Sequence, residues 1–154
     1  MQLADAEKLA HELMRQHSLL PRWKFDFDRA VRRFGSCNER KRLITLSARL
    51  TELNSEYEVR DTILHEIAHA LVGVRAKHGR KWRRMASIIG CNARSCYGDE
   101  VQQPPMKFTG RCPTCGYEVQ RSRRRRISCG RCDRKFNPRH LFAWSRTSTN
   151  PHSD

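Results

Sequence analysis

The segment TILHEIAHALVG, Thr62 to Gly73, holds two histidines four residues apart, His65 and His69, with Glu66 directly after the first. On an α-helix, positions i and i+4 lie about 40° apart in rotation, so both imidazoles leave one face and can grip a single metal ion. Glu66 stands about 100° round from His65, beside such an ion but poorly placed to ligate with them. That is the position for a general base acting on an activated water. Ile63, Leu64, Ile67 and Leu71 supply apolar faces for the helix, Ser55 and Glu58 form a capping box at its start, and Gly73 is its stop signal. The same five-residue motif also arises by chance on helices whose histidines are merely packed. The cap, the apolar flanks and the small Ala68 and Ala70 weigh against that reading.

A catalytic zinc takes three protein ligands and keeps a fourth position open. A downstream carboxylate is not at hand, because no acidic residue occurs between Glu66 and Asp99. Metzincin spacing needs glycine and histidine where this chain has Val72 and Arg75. What remains is His78, nine residues past His69, which a turn after Gly73 brings back over the site.

A second set of donors lies further on. RCPTCG and SCGRCD give Cys112, Cys115, Cys129 and Cys132, two C-x-x-C knuckles with 13 residues between them. Four thiolates at this spacing close a tetrahedral shell, the pattern of a structural zinc. A redox dithiol would come as one such pair on a thioredoxin-like scaffold. Between the knuckles runs RSRRRR, with Arg121, Arg123, Arg124, Arg125 and Arg126. On a ribbon hairpin these guanidiniums project together and contact DNA phosphates, with low sequence specificity because no reading helix accompanies them. A solubilising tip or a sorting signal is the plainer alternative. Cys37, Cys91 and Cys96 have no partner by spacing and read as small buried thiols.

The formal charge is +15, with 31% charged and 38% hydrophobic residues. Residues 101–154 carry 12 basic against 3 acidic groups, so the excess sits mostly in the last third, as expected for a polyanion partner. No apolar run approaches the roughly 18–20 residues of a membrane span. The opening MQLADAEKLAHELM has acidic residues and a helical period in place of a signal peptide's pattern. Paired C-x-x-C units also fit a reducing compartment, so the expected location is intracellular: cytoplasmic and nucleoid-associated, or nuclear in a eukaryote.

These residues need elements to position them. Leu3, Ala6, Ala10, Leu13, Met14 and His17 mark one face of an opening helix that stops before Pro21. Trp23, Phe25 and Phe27 alternate with charge as a half-buried strand, and FGSCNERKRLITLS reads as a Gly35 turn, a polar tip and a strand near Arg42–Ser47. HGRKWRRMASIIG restarts a helix, with Trp82, Met85, Ala86 and Ile89 facing in, basic residues opposite, and Trp82 packed beside the metal site. Pro104 and Pro105 mark a linker.

The ordered combination of GSCNERKRLITLS, HEIAHA and HGRKW resembles the SprT-like family of zinc metalloproteases, which includes Spartan, the DNA–protein crosslink protease. The resemblance runs from Trp23 to the last cysteine. It implies His65, His69 and His78 as ligands of a catalytic zinc and Glu66 as catalytic acid/base. It also implies an α+β, minimal zincin-like fold with a small sheet against the active-site helix, followed by a small β zinc ribbon. The expected organisation is residues 1–103 as the SprT-like domain, 104–146 as the four-cysteine zinc ribbon and 147–154 as a disordered tail. The expected function is zinc-dependent endopeptidase cleavage of DNA-bound or DNA-crosslinked proteins, with one catalytic and one structural zinc. The strand near Leu43–Leu46 would hold the substrate as an added strand, and the ribbon would dock on DNA. No membrane is involved and a monomer is favoured. The rival is a non-catalytic nucleic-acid-binding ribbon protein in which the H-E-x-x-H domain is a metal-stabilised scaffold.

Overall fold

The computed structural model describes residues 1–92 and 101–147; Cys96, and residues 148–154 of the expected tail, lie outside the described residues. The chain divides into two compact units, Met1–Pro104 and Pro105–Asp154.

In the first unit, α1 (Leu3–Gln16) buries Ala6, Ala10, Leu13 and Met14, one stripe at helical spacing. Three strands follow, β1 (Lys24–Asp28), β2 (Gly35–Asn38) and β3 (Leu43–Ser47), in the sheet order β1-β3-β2. Period-two alternation puts Phe25 and Phe27 of β1 against the core, joined by Trp23. β2 and β3 form the expected hairpin, antiparallel from Gly35 opposite Leu46 to Asn38 opposite Leu43. The Asn38 side chain accepts from the Lys41 amide at its tip. Gly35, expected to make a turn, opens β2 instead. β1 runs parallel to β3 from Lys24 opposite Leu43 to Asp28 opposite Ser47. β3 is therefore the central strand, bonded on both edges. This corrects the expectation that it would take up a substrate strand: its backbone groups are already engaged. The open edge next to the hairpin belongs to β2.

A short helix that no sequence period announced, α2 (Ala48–Leu53), starts where the Ser47 hydroxyl accepts from the Leu50 amide at 3.1 Å. Next comes α3 (Glu56–Val72), whose Val59, Thr62, Ile63, Leu64, His65, Glu66, Ile67 and Ala68 are all buried. Ser55 is its N-cap residue, but the hydroxyl donates to the Glu58 carboxylate and makes no bond to a backbone amide, so the two residues pair side chain to side chain in place of the reciprocal backbone bonds of a capping box. Gly73 ends α3 at φ +84°, a conformation open to glycine at little cost. Leu71, expected inside, is 38% exposed. A 3-10 turn over Val74–Ala76 leads to α4 (Arg80–Ile88), which buries Trp82 and Ala86. α3 packs against α1, α4, β2 and β3 and so forms the centre of the unit. Asn54, buried after α2, holds Gln102 by two bonds, 2.7 Å and 3.0 Å, and Val101 beside it joins the core.

The second unit is a small sheet of β4 (Phe108–Arg111), β5 (Glu118–Arg121) and β6 (Ala143–Arg146), ordered β5-β4-β6. Gly110 lies so close under the Trp144 ring that a Cβ there would meet it at 2.9 Å. The unit's core is Cys112, Cys129 and Phe142, with Tyr117, Val119, Ile127, Cys132 and Trp144 around them. An apolar core this small needs a further staple to hold a fold. Among the described residues no helix is long and apolar enough to cross a membrane.

Candidate active site and metal centres

α3 presents His65 and His69 on one face, as their spacing requires, and the turn after Gly73 brings His78 over them. The Nε2 atom of His78 lies 3.0 Å from Nε2 of His65 and 3.1 Å from Nε2 of His69. Three ring nitrogens thus meet at one point. Neutral imidazoles have one N–H each, and lone pairs left facing one another repel, so the cluster suits a cation better than a set of hydrogen bonds. Nitrogens at about 2.0–2.1 Å from a tetrahedral zinc would stand about 3.3 Å apart, close to the separations seen. The indole of Trp82 backs all three rings, its centroid 4.6 Å from His65, 5.4 Å from His69 and 4.6 Å from His78.

The electrostatics favour neutral donors. Burial pushes the His65 pKa down to about 3, with His69 and His78 adding to it. Burial and His78 push His69 down to about 4. Uncharged imidazoles are what a metal needs. The donor set, its spacing and its charge state all fit a dication.

Glu66, one residue on, is 5% exposed. Burial raises its carboxyl pKa to about 8, against an opposing pull from Arg33. The backbone of β2 lies directly on it. A Cβ at Gly35 would sit 2.8 Å from Glu66 Oε1, 2.9 Å from Glu66 Cγ and 2.9 Å from Thr62 Cγ2. Only glycine leaves room for this carboxylate, a role that sequence reading missed because Gly35 resembled a turn residue.

From Gly35, β2 leads into a cleft of about 770 Å³ lined by Cys37, Asn38, Glu39, Arg40, Val72, Gly73, Val74 and Arg75. The Cys37 thiol on its wall is pushed up to about 12 by burial and by the Glu66 and Glu39 charges, so it stays protonated at neutral pH. Cys91 is buried, with its sulfur 3.8 Å from the Asp61 carbonyl oxygen.

In the second unit Cys112, Cys115, Cys129 and Cys132 converge, Cys112 and Cys132 at 3.8 Å between sulfurs and Cys115 and Cys129 at 3.7 Å. Sulfurs at about 2.3 Å from a tetrahedral zinc stand about 3.8 Å apart, so this set also fits the ion. Arg121 ends β5 with its guanidinium on the Gln120 carbonyl, while Arg123, Arg124, Arg125 and Arg126 follow, exposed, in a loop. They do not form the hairpin expected of them. Arg124 lies over the Phe108 ring at 5.1 Å and Arg126 over Phe136 at 5.9 Å. Arg124, Arg125 and Arg126 also wall a recess of about 330 Å³ with Leu141, Phe142 and Trp144, and the Trp144 indole donates to the Arg125 carbonyl at 2.9 Å.

The family model that describes the SprT-like family matches residues 4–105. No curated protein matches the chain. Among solved structures it is similar to the metallopeptidase zymogen of Methanocaldococcus jannaschii, jannalysin, at 14% identity and a TM-score of 0.46, covering 62% of this chain and 85% of that one.

Proposed function

The chain belongs to the SprT-like family of zinc metalloproteases, and from that premise we propose that it is an endopeptidase acting on proteins bound or crosslinked to DNA. In this reading His65, His69 and His78 hold the catalytic zinc and the four cysteines Cys112, Cys115, Cys129 and Cys132 hold a structural one. Bound at the histidines, zinc supplies Lewis acidity that polarises the scissile carbonyl and acidifies water. With the dication's charge beside it favouring the carboxylate over the protonated acid, Glu66 would take the water's proton and pass it to the leaving amine. Its burial keeps that proton from escaping to solvent. The open edge of β2 receives the substrate backbone as an added strand, a mode that reads little of the sequence, and the adjoining cleft takes side chains.

The observation that carries the peptidase reading is the convergence of three Nε2 nitrogens beside a buried carboxylate. The test is Glu66→Gln in the full chain. Cleavage of casein or histone should fall by about 10²-fold or more while zinc content holds. Wild-type cleavage by that variant would refute the mechanism.

For the DNA half, the support is the exposed run Arg123–Arg126 and the aromatic-floored recess behind it. Guanidiniums beside Phe142 and Trp144 can meet phosphates and stack an unpaired base together, which favours single-stranded DNA. Replacing Trp144 by alanine should weaken single-strand binding more than duplex binding. Equal loss on both would rule out stacking.

A further inference from the structure

Neither zinc site nor the ribbon accounts for a second concentration of charge. Residues 75–84 of the first unit carry Arg75, Lys77, Arg80, Lys81, Arg83 and Arg84, all exposed. Among the described residues none of the six is in an ion pair. No acidic residue occurs in the chain between Glu66 and Asp99.

The fold arranges these cations as a strip. Trp82 and Ala86 fix the inward side of α4. At about 100° per residue, Arg80, Lys81, Arg83 and Arg84 then spread over about 160° of the opposite, solvent side. Arg80 repels both Arg83 and Arg84, three and four residues on, as Lys81 repels Arg84. The first turn of α4 holds cations and no acid, the reverse of what the helix dipole favours. A helix face that serves only solubility mixes both signs. This one is built against its own folding energetics, a repulsion that an extended polyanion would relieve.

Its location is equally informative. His78 lies between Lys77 and Arg80 in the strip, and Arg75 lines the cleft beside Val72 and Gly73. The charge therefore begins at the rim of the histidine cluster.

We propose that this strip is a second DNA-binding surface, on the peptidase unit itself, which grips the phosphodiester backbone next to the metal centre. The inference rests on the DNA reading given above and deepens it. The strip holds no Asn, Gln or carboxylate to pair with adenine or cytosine edges, so its contacts are expected to fall mainly on phosphates. DNA held there presents whatever protein is attached to it to the β2 cleft. Substrates are then selected by attachment, not by sequence.

The experiment compares full-length variants by fluorescence anisotropy on a short DNA duplex and on the matching single strand, from about 50 to 200 mM salt. One variant combines Arg80→Gln, Lys81→Gln, Arg83→Gln and Arg84→Gln. A second combines Arg75→Gln and Lys77→Gln, which lie outside α4, so loss of that helix cannot mimic both results. A third changes Arg123–Arg126 of the ribbon to Gln. The slope of log affinity against log salt on the duplex should flatten by roughly 3 to 4 in the first variant and by roughly 2 in the second, at about 0.9 per phosphate contact. Wild-type slopes in both, with binding lost only in the ribbon variant, would overturn the inference and leave the DNA reading intact. Failure of the wild-type protein to bind either DNA would remove both. Displacement of DNA by poly-glutamate at lower concentration than by competitor DNA would make an acidic protein the partner and overturn the assignment to DNA.

Discussion

Glu66 owes its place to a neighbour with no side chain. The carboxylate fits under β2 because Gly35 has no Cβ, and three atoms within 3 Å of where one would be leave no room to relax. Gly35→Ala should therefore displace Glu66 and lower kcat with KM and zinc content held. Overpacking should also cost about 1–3 kcal/mol of stability. Unchanged kcat in a folded variant would separate Gly35 from catalysis. The raised pKa of Glu66 gives a second residue-scale prediction, for the protein stripped of metal by a chelator. The folded state keeps its proton up to about 8, while the unfolded chain releases it near the ordinary 4.5. The unfolded state thus binds fewer protons between those values, and this group's share of stability falls as pH rises through that window. The histidines of the unfolded chain titrate in the same range, near 6.5, and the difference between wild type and Glu66→Gln cancels them. Denaturant unfolding from pH 5 to 8 should show that difference declining with pH. Equal slopes in the two proteins would place the carboxyl in a wetter setting.

At the scale of elements, periodicity exposed what is local and missed what is paired at a distance. The buried face of α1, the extent of α3 and its stop at Gly73 follow from spacing and one glycine, and the structure has all three. So does the inward face of α4, with Trp82 beside the histidines. The hairpin was legible from its polar tip, yet its central strand was not, because the parallel pairing of β1 with β3 joins segments 19 residues apart and leaves no local trace. The candidate substrate edge consequently moved from β3 to β2. α2 escaped notice because six residues are under two turns and show no period. Gly73 supplies the prediction here. At φ +84° and ψ 139° it is in a region that other residues enter only under strain, although a Cβ would find ordinary contacts with Glu39 at 3.8 Å. Gly73→Ala should therefore destabilise the first unit by about 1–3 kcal/mol through backbone strain alone, read as a lower denaturation midpoint. An unchanged midpoint would show that the turn has an alternative path.

At the scale of the whole molecule, the two units rest on different physics. The first has a contiguous apolar core from Ala6 to Val101, while the second has three buried core residues, two of them the cysteines Cys112 and Cys129. Metal removal should therefore unfold the second unit and leave the first largely folded, seen as loss of amide protection confined to residues 105–147. Protection lost across both units would contradict that division. The four-cysteine pattern was readable from spacing alone, because a closed tetrahedral shell needs only two knuckles. His78 came from elimination, since the turn that returns it has no periodic signature. The most direct measurement of the central claim is zinc per chain, by elemental analysis, in the wild-type protein and in His78→Ala, alongside cleavage of casein. The account predicts two zinc ions and activity in the first, and one zinc ion and no cleavage in the second. Two zinc ions and undiminished cleavage in His78→Ala would contradict it.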